Sequence, residues 1–95
     1  MPGYVIVELE VTDPTAFEEY RQQAAATVAS HGGKYLVRGG AAETLEGDRP
    51  PQRIVVLEFE SVARARAWWN SEEYLAPKAL RQRCAITQMT LVEGV

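Results

Sequence analysis

The chain has one cysteine, Cys84, and one histidine, His31. A lone cysteine excludes an internal disulfide and fits a reducing, cytoplasmic setting. A lone histidine among scattered acids gives no recognisable ligand spacing, so the sequence implies no metal site and no cofactor. No apolar run approaches the roughly 20 residues of a membrane helix, which argues against a membrane partner. The opening MPGYVIVELEV lacks a basic stretch and meets glutamates early, so it does not read as a signal peptide. An excess of positive charge is missing too. Ten Lys and Arg against 13 Asp and Glu leave a net charge of −3, which argues against nucleic acid, whose affinity comes mostly from neutralised phosphates. Arg64, Arg66, Lys78, Arg81 and Arg83 gather late in the chain and read as a solvated helix face offset by nearby acids. There are no repeats, linkers or low-complexity tracts. Residues 1–95 are expected to form a single domain with a modest core, because a chain this short buries only about 60–65% of its unfolded surface.

What is present is clear periodicity. YVIVELEV (4–11) alternates: Val5, Val7, Leu9 and Val11 share one face, Tyr4, Ile6, Glu8 and Glu10 the other. Asp13 is a good N-cap and Pro14 suits the first helical position, so Phe17, Tyr20, Ala24 and Val28 predict a helix from about Pro14 to His31. In SHGGKYLVRGG (30–40), Gly32 fits a left-handed C-cap, KYLVR a second strand, and Gly39–Gly40 a bulge or kink at its end. AETLEGDRPPQ (42–52) reads as a polar connection with room for a short strand extension. RIVVLEFE (53–60) is a third strand. Ser61 and Ser71 are caps for helical stretches VARARAWWN and EEYLA, with Pro77 expected to break or kink the path before KALRQRC resumes it. AITQMTLVEG (85–94) is the last strand.

That order predicts an α+β fold, the ferredoxin-like βαββαβ plan: a four-stranded antiparallel sheet with its helices on one face. Val5, Val7, Leu9, Val11, Tyr35, Val37, Val55, Leu57, Phe59, Met89 and Leu91 would meet the helices. Ile6, Glu8, Glu10, Leu36, Arg38, Val56, Glu58, Gln88 and Thr90 would line the opposite face. A solvated face would be nearly all polar, and this one keeps Ile6, Leu36 and Val56, so a second copy is expected to cover it and form a homodimer.

GYVIVELEVTDPTAFEEYRQ, HGGKYLVRGG, ETLEGD, RIVVLEFES, ARAWWNSEEYLAPKALRQ and the closing LVEG occur in one order over nearly the whole chain. Together they resemble the family called domain of unknown function 1330. The resemblance implies a dimeric α+β barrel, the architecture also used by antibiotic-biosynthesis monooxygenases, muconolactone isomerases and chlorite dismutase-like proteins. It implies no established reaction. GDRPP departs from the family pattern in having no aromatic residue after Asp48, and Pro77 departs from it within SEEYLAPKALR.

The candidate constellation is Glu8, Arg38 and Glu58 on the open face. Beneath a partner sheet one carboxylate would have a raised pKa unless Arg38 compensated it, and Glu8 or Glu58 would then serve as a general base while Arg38 holds an anion. The bland alternative is an ion network that fixes dimer register. His31 is a third catalytic candidate because it titrates near neutrality, and a helix C-cap role explains it equally. Tyr20 and Tyr74 can place hydroxyls at a pocket, against a plain core role. Of Trp68 and Trp69, on different sides of their helix, one is core; Trp69 is taken as the pocket or dimer wall. The functional expectation is a small, partly apolar molecule bound or transformed without a cofactor, by proton-transfer or oxygenation chemistry of the monooxygenase or isomerase kind. The alternative is a non-catalytic dimerisation or interaction module. An open cavity of about 300 Å³ or more beside Arg38 favours the ligand, and a filled, ion-paired interior favours the module.

Overall fold

The computed structural model describes all 95 residues. Its strands are β1 (Gly3–Val11), β2 (Lys34–Arg38), β3 (Arg53–Phe59) and β4 (Ala85–Glu93), and its helices α1 (Pro14–Ser30), α2 (Val62–Trp69) and α3 (Glu72–Cys84). The sheet is antiparallel throughout, in the order β2-β3-β1-β4. This is the ferredoxin-like plan, with three helices rather than two. The molecule measures 35 × 34 × 16 Å, the thickness of one helical layer on one sheet, so the far face of the sheet is bare. No helix is long and apolar enough to cross a membrane.

Local chemistry sets the helix ends. Asp13 Oδ1 accepts the Ala16 N–H at 3.2 Å, and Pro14 occupies the first helical position. Ser61 and Ser71 cap α2 and α3 in the same way, accepting from the Arg64 and Tyr74 amides. Ser71 Oγ also donates to the Trp68 carbonyl at 2.8 Å, which ties the end of α2 to the start of α3. α1 ends at His31 in a non-helical conformation, and Gly32 follows with φ +74°, the left-handed geometry expected there. Gly33 has another reason to be glycine: a Cβ would lie 2.6 Å from the Phe59 ring.

Two expectations are corrected. α3 runs unbroken through Pro77. The proline is buried in the stripe Tyr74, Pro77, Arg81 and Cys84, and packing of α3 along α1 and β4 holds a helix that local propensity opposes. Residues 42–52 hold no strand extension; bends carry the chain from β2 to β3.

The core is formed by Val5, Val7, Leu9, Leu57 and Phe59 from the sheet against Phe17, Ala24, Val28, Ala65, Trp68, Tyr74 and Cys84 from the helices. Trp68 and Tyr74 sit at its centre, ring centroids 4.2 Å apart. The buried Trp68 Nε1–H donates to Thr27 Oγ1 at 3.0 Å, and the Thr27 hydroxyl donates in turn to the Ala24 carbonyl.

Candidate functional site

The expected grouping of Glu8, Arg38 and Glu58 is split by the sheet. β2 carries a register shift between Tyr35 and Val37: Tyr35 pairs with Leu57, Val37 with Val56 and Arg38 with Val55. Leu36 is the extra residue of a bulge. One extra residue reverses which side every later side chain takes. Val37 therefore joins the open face with Val56, while Arg38 crosses to the helix side with Val55. This corrects both placements made from strict alternation. The guanidinium of Arg38 lies over the Tyr35 ring at 4.3 Å. The expected bend at Gly39 is also present, with φ +72° and the Arg53 guanidinium where a Cβ would stand.

Glu8 and Glu58 do lie on the open face of neighbouring strands. Glu8 is opposite Ile54 and Glu58 opposite Tyr4, four residues apart along β1, which is about 13 Å at 3.3 Å per residue. Glu58 instead pairs with Lys34 Nζ at 3.0 Å. Its carboxyl is held below the usual glutamate range by hydrogen bonds from Lys34 and then Tyr4, and the same contact with Glu58 raises the Tyr4 phenol. Glu8 is exposed. Around both acids the open face shows Leu36, Val37, Ile86 and Val92 to solvent, with Ile6, Ile54 and Val56 half-buried.

His31 lies apart from both groups, at the end of α1. Its Nδ1–H donates to the Thr27 carbonyl at 3.0 Å, and Glu73 Oε1 lies 3.8 Å from the same nitrogen. It closes the C-terminus of α1 onto the start of α3.

The helix side gathers the other candidates. The Tyr20 and Tyr74 hydroxyls are hydrogen-bonded at 2.7 Å, and Arg81 Nε–H points at Tyr74 Oη from 3.4 Å. Burial, then the neighbouring Tyr74, pushes the Tyr20 phenol far up, so it stays protonated and does not serve as a base. Burial raises the Tyr35 phenol as well. A cavity of about 40 Å³ opens here between α1, α3 and the sheet. It is walled by Phe17, Tyr20 and Tyr35 and reached by Arg21, Arg38, Arg53 and Arg81. No carboxylate or imidazole lines it.

Two clefts lie further along the same side of the sheet, and only the second shares a residue with this cavity. One, of about 240 Å³, is apolar and lies between α2, β1 and β4, with Trp68, Trp69, Met89 and Leu91 in its wall. A more open one shares Trp69 and Met89 with it and Arg81 with the small cavity. Trp69 thus forms a wall, with Lys78 Nζ over its ring at 4.1 Å, while Trp68 is core.

Arg81 is the residue the sequence reading missed. Assigned there to a solvated face, it is 4% exposed and has no ion-pair partner. An unpaired buried ion costs several kcal/mol after relaxation. Its spacing from Tyr74 and Pro77, i+7 and i+4, is the signal that places it on the buried stripe.

Solved structures share this architecture at low identity. The RPA0582 protein of unknown function from Rhodopseudomonas palustris is 17% identical with a TM-score of 0.80, the match covering 99% of this chain and 82% of that one. SnoaB, a cofactor-independent oxygenase from Streptomyces nogalater, is 15% identical with a TM-score of 0.64 over 99% of this chain and 93% of its own. A dimeric protein of unknown function and ferredoxin-like fold from Bacteroides fragilis is 10% identical with a TM-score of 0.66, covering 98% and 96%. At these identities the likeness is one of fold. No curated protein matches the chain. The sequence itself is more specific: residues 2–95 match the family described as domain of unknown function (DUF1330), and the chain belongs to that family.

Proposed function

We propose that the chain works as a homodimer that binds a small, partly apolar molecule on the helix side of its sheet. Any chemistry there is cofactor-independent, of the kind named for the oxygenase whose fold it shares. The observation that carries this reading is the Tyr20–Tyr74–Arg81 string, three polar side chains brought together inside an aromatic core at the junction of a cavity and a cleft. A buried polar cluster that opens onto a cleft is the kind of place where functional sites are built. The apolar cleft takes the body of the ligand and the small cavity its polar end. With no base in the cavity, the site acts on a bound acid by stabilising its anion.

In this proposal Glu8 and Glu58 belong to the dimer contact, where the open face meets its copy, and His31 to the α1 cap. The exposed Leu36, Val37, Ile86 and Val92 support that contact, since a bare sheet with these side chains exposes an apolar patch. The dimeric relative from Bacteroides fragilis agrees with it.

A second reading has an observation of its own. The space beside Arg38 is about 40 Å³, far below the roughly 300 Å³ of a ligand pocket, which favours a dimerisation module without a ligand. The unpaired arginines oppose it. A thermal-shift screen of small aromatic and alicyclic molecules decides between them, with Arg38→Ala as control. Hits weakened by Arg38→Ala support the site, and a screen without hits supports the module. Light scattering tests the dimer separately: Val56→Asp, at the centre of the open face, should yield monomers, and an unchanged mass would end the dimer proposal.

A further inference from the structure

We propose that the helix-side site is selective for an organic monoanion. A planar carboxylate or enolate head is held by Arg81 and Arg38, and its apolar body lies against Trp69 and Met89. This rests on the reading above that a small molecule occupies this side of the sheet, and adds the ligand's charge and shape.

The charge distribution carries the inference. The chain as a whole has more acids than bases, 13 against 10. Yet four arginines reach one small cavity and no acid lines it. Only Arg21 has an ion pair, its Nη1 with Glu18 at 3.1 Å on the outer surface, and its Nε is buried without a partner. Arg53 Nε is buried without a partner too. Arg81, 4% exposed, has the Tyr74 hydroxyl as its one side-chain hydrogen-bond partner.

Arg38 and Arg53 are held by aromatic faces, Tyr35 at 4.3 Å and Phe17 at 5.2 Å. Stacking of this kind uses the face of a guanidinium and leaves its N–H edge free for a carboxylate. The neighbouring phenols of Tyr20 and Tyr35 stay protonated, so they add donors and no negative charge. Like charges collected without counter-charge are an unfinished network, and an oxyanion completes it with charge-assisted hydrogen bonds. Size narrows the class. About 40 Å³ holds a carboxylate-sized head and not a ring, and the ring then extends past Arg81 to the Trp69–Met89 wall shared by both clefts.

The test is titration calorimetry on the full chain with benzoate, cinnamate and 2-naphthoate, their neutral alcohols, and inorganic phosphate. For the best-binding ring, the carboxylate should bind at least about tenfold more tightly than the alcohol, as charge-assisted bonds predict. Arg81→Met should bring that preference below about twofold. It should also fold with a melting temperature no lower than the parent, because it removes an uncompensated buried charge and keeps the chain's length. Arg38→Ala, at the exposed mouth, should reduce the preference several-fold, and provides the check if Arg81→Met does not fold. Alcohols binding as well as carboxylates, with no response to either variant, would overturn the anion inference and leave the small-molecule reading standing. Phosphate binding as tightly as the carboxylates would overturn the organic part. Failure of every probe would remove both readings.

Discussion

Replacing Thr27 by valine removes one hydroxyl from the core and leaves its shape. Thr27 is 6% exposed, and its Oγ1 is the acceptor for the Trp68 indole N–H at 3.0 Å. The Ala24 carbonyl, to which the hydroxyl donates, keeps its ordinary helical amide four residues on. The indole N–H has no such second partner. An orphaned buried donor costs about 1–3 kcal/mol, and the added methyl recovers up to about 0.8 kcal/mol by burial. The net expectation is a loss of roughly 1–2 kcal/mol, with no cavity contribution. For a domain of this size that is a fall in melting temperature of about 4–8 °C per kcal/mol, and a lower urea midpoint at unchanged slope. The assay is urea unfolding followed by far-UV circular dichroism, at one fixed protein concentration because subunit association shifts the midpoint. A cycle with Trp68→Phe should return a coupling of about 1 kcal/mol. A midpoint shift corresponding to less than about 0.5 kcal/mol would refute the reasoning, since it would mean the indole N–H finds another acceptor once the hydroxyl is gone. The Trp68 ring lies 4.2 Å from that of Tyr74, so Thr27→Val should also weaken probe binding although Thr27 lines no part of the cavity.

Glu58 links stability to acid pH: its folded pKa lies below the ordinary value near 4.5, so its contribution is complete above that value and is lost as pH falls through the folded one. Glu58→Gln should flatten the acid limb of a stability-against-pH curve in that window, and an unaltered limb would contradict the Lys34 and Tyr4 contacts. Gly33→Ala should destabilise by roughly 1–3 kcal/mol through overpacking, because its Cβ falls 2.6 Å from the Phe59 ring; calorimetric melting checks this. Cys84 is 1% exposed and its thiol is pushed up first by burial and then by Asp13, so it should resist a disulfide reagent in the native protein and react fully in urea.

The fold was legible because each strand and helix announces itself locally. Asp13–Pro14 and Ser61 start helices where they should, and the alternation of β1 puts Val5, Val7 and Leu9 inside without exception. Pro77 was misread because its local penalty is real and the compensation is tertiary: the ring is buried in a stripe that only the packed helices define. The candidate site was less legible, and for one reason above others. A bulge at Leu36 carries no strong sequence mark, yet it moves Arg38 across the sheet and separates it from Glu8 and Glu58. The glycines at 39 and 40, which attract attention as a kink, come after the shift has happened. Arg81 was lost to a rule that serves well on average, since arginine on a helix is mostly solvated. Tyr20, Tyr74 and Trp69 stand out in the sequence as aromatic residues at helical spacing, and the structure places all three on the helix side.

The bulge and the buried arginine together explain why one side of so small a domain can be specialised. A regular β2 would send Arg38 outward and bring Val37 in, lengthening the apolar core by one residue and leaving Arg21, Arg53 and Arg81 at the cavity. The chain instead gives up that burial, about 1.5–3 kcal/mol for a valine, and concentrates positive charge against Tyr35 and Tyr74. Stability alone would favour the regular strand and a methionine at 81. The open face shows the opposite economy: Lys34 meets Glu58, and its exposed residues are mostly ones a second sheet can cover. On the open face Lys34 meets Glu58, while on the helix side Arg38, Arg53 and Arg81 have no ion-pair partner, and an anion bound there as proposed would supply the missing counter-charge.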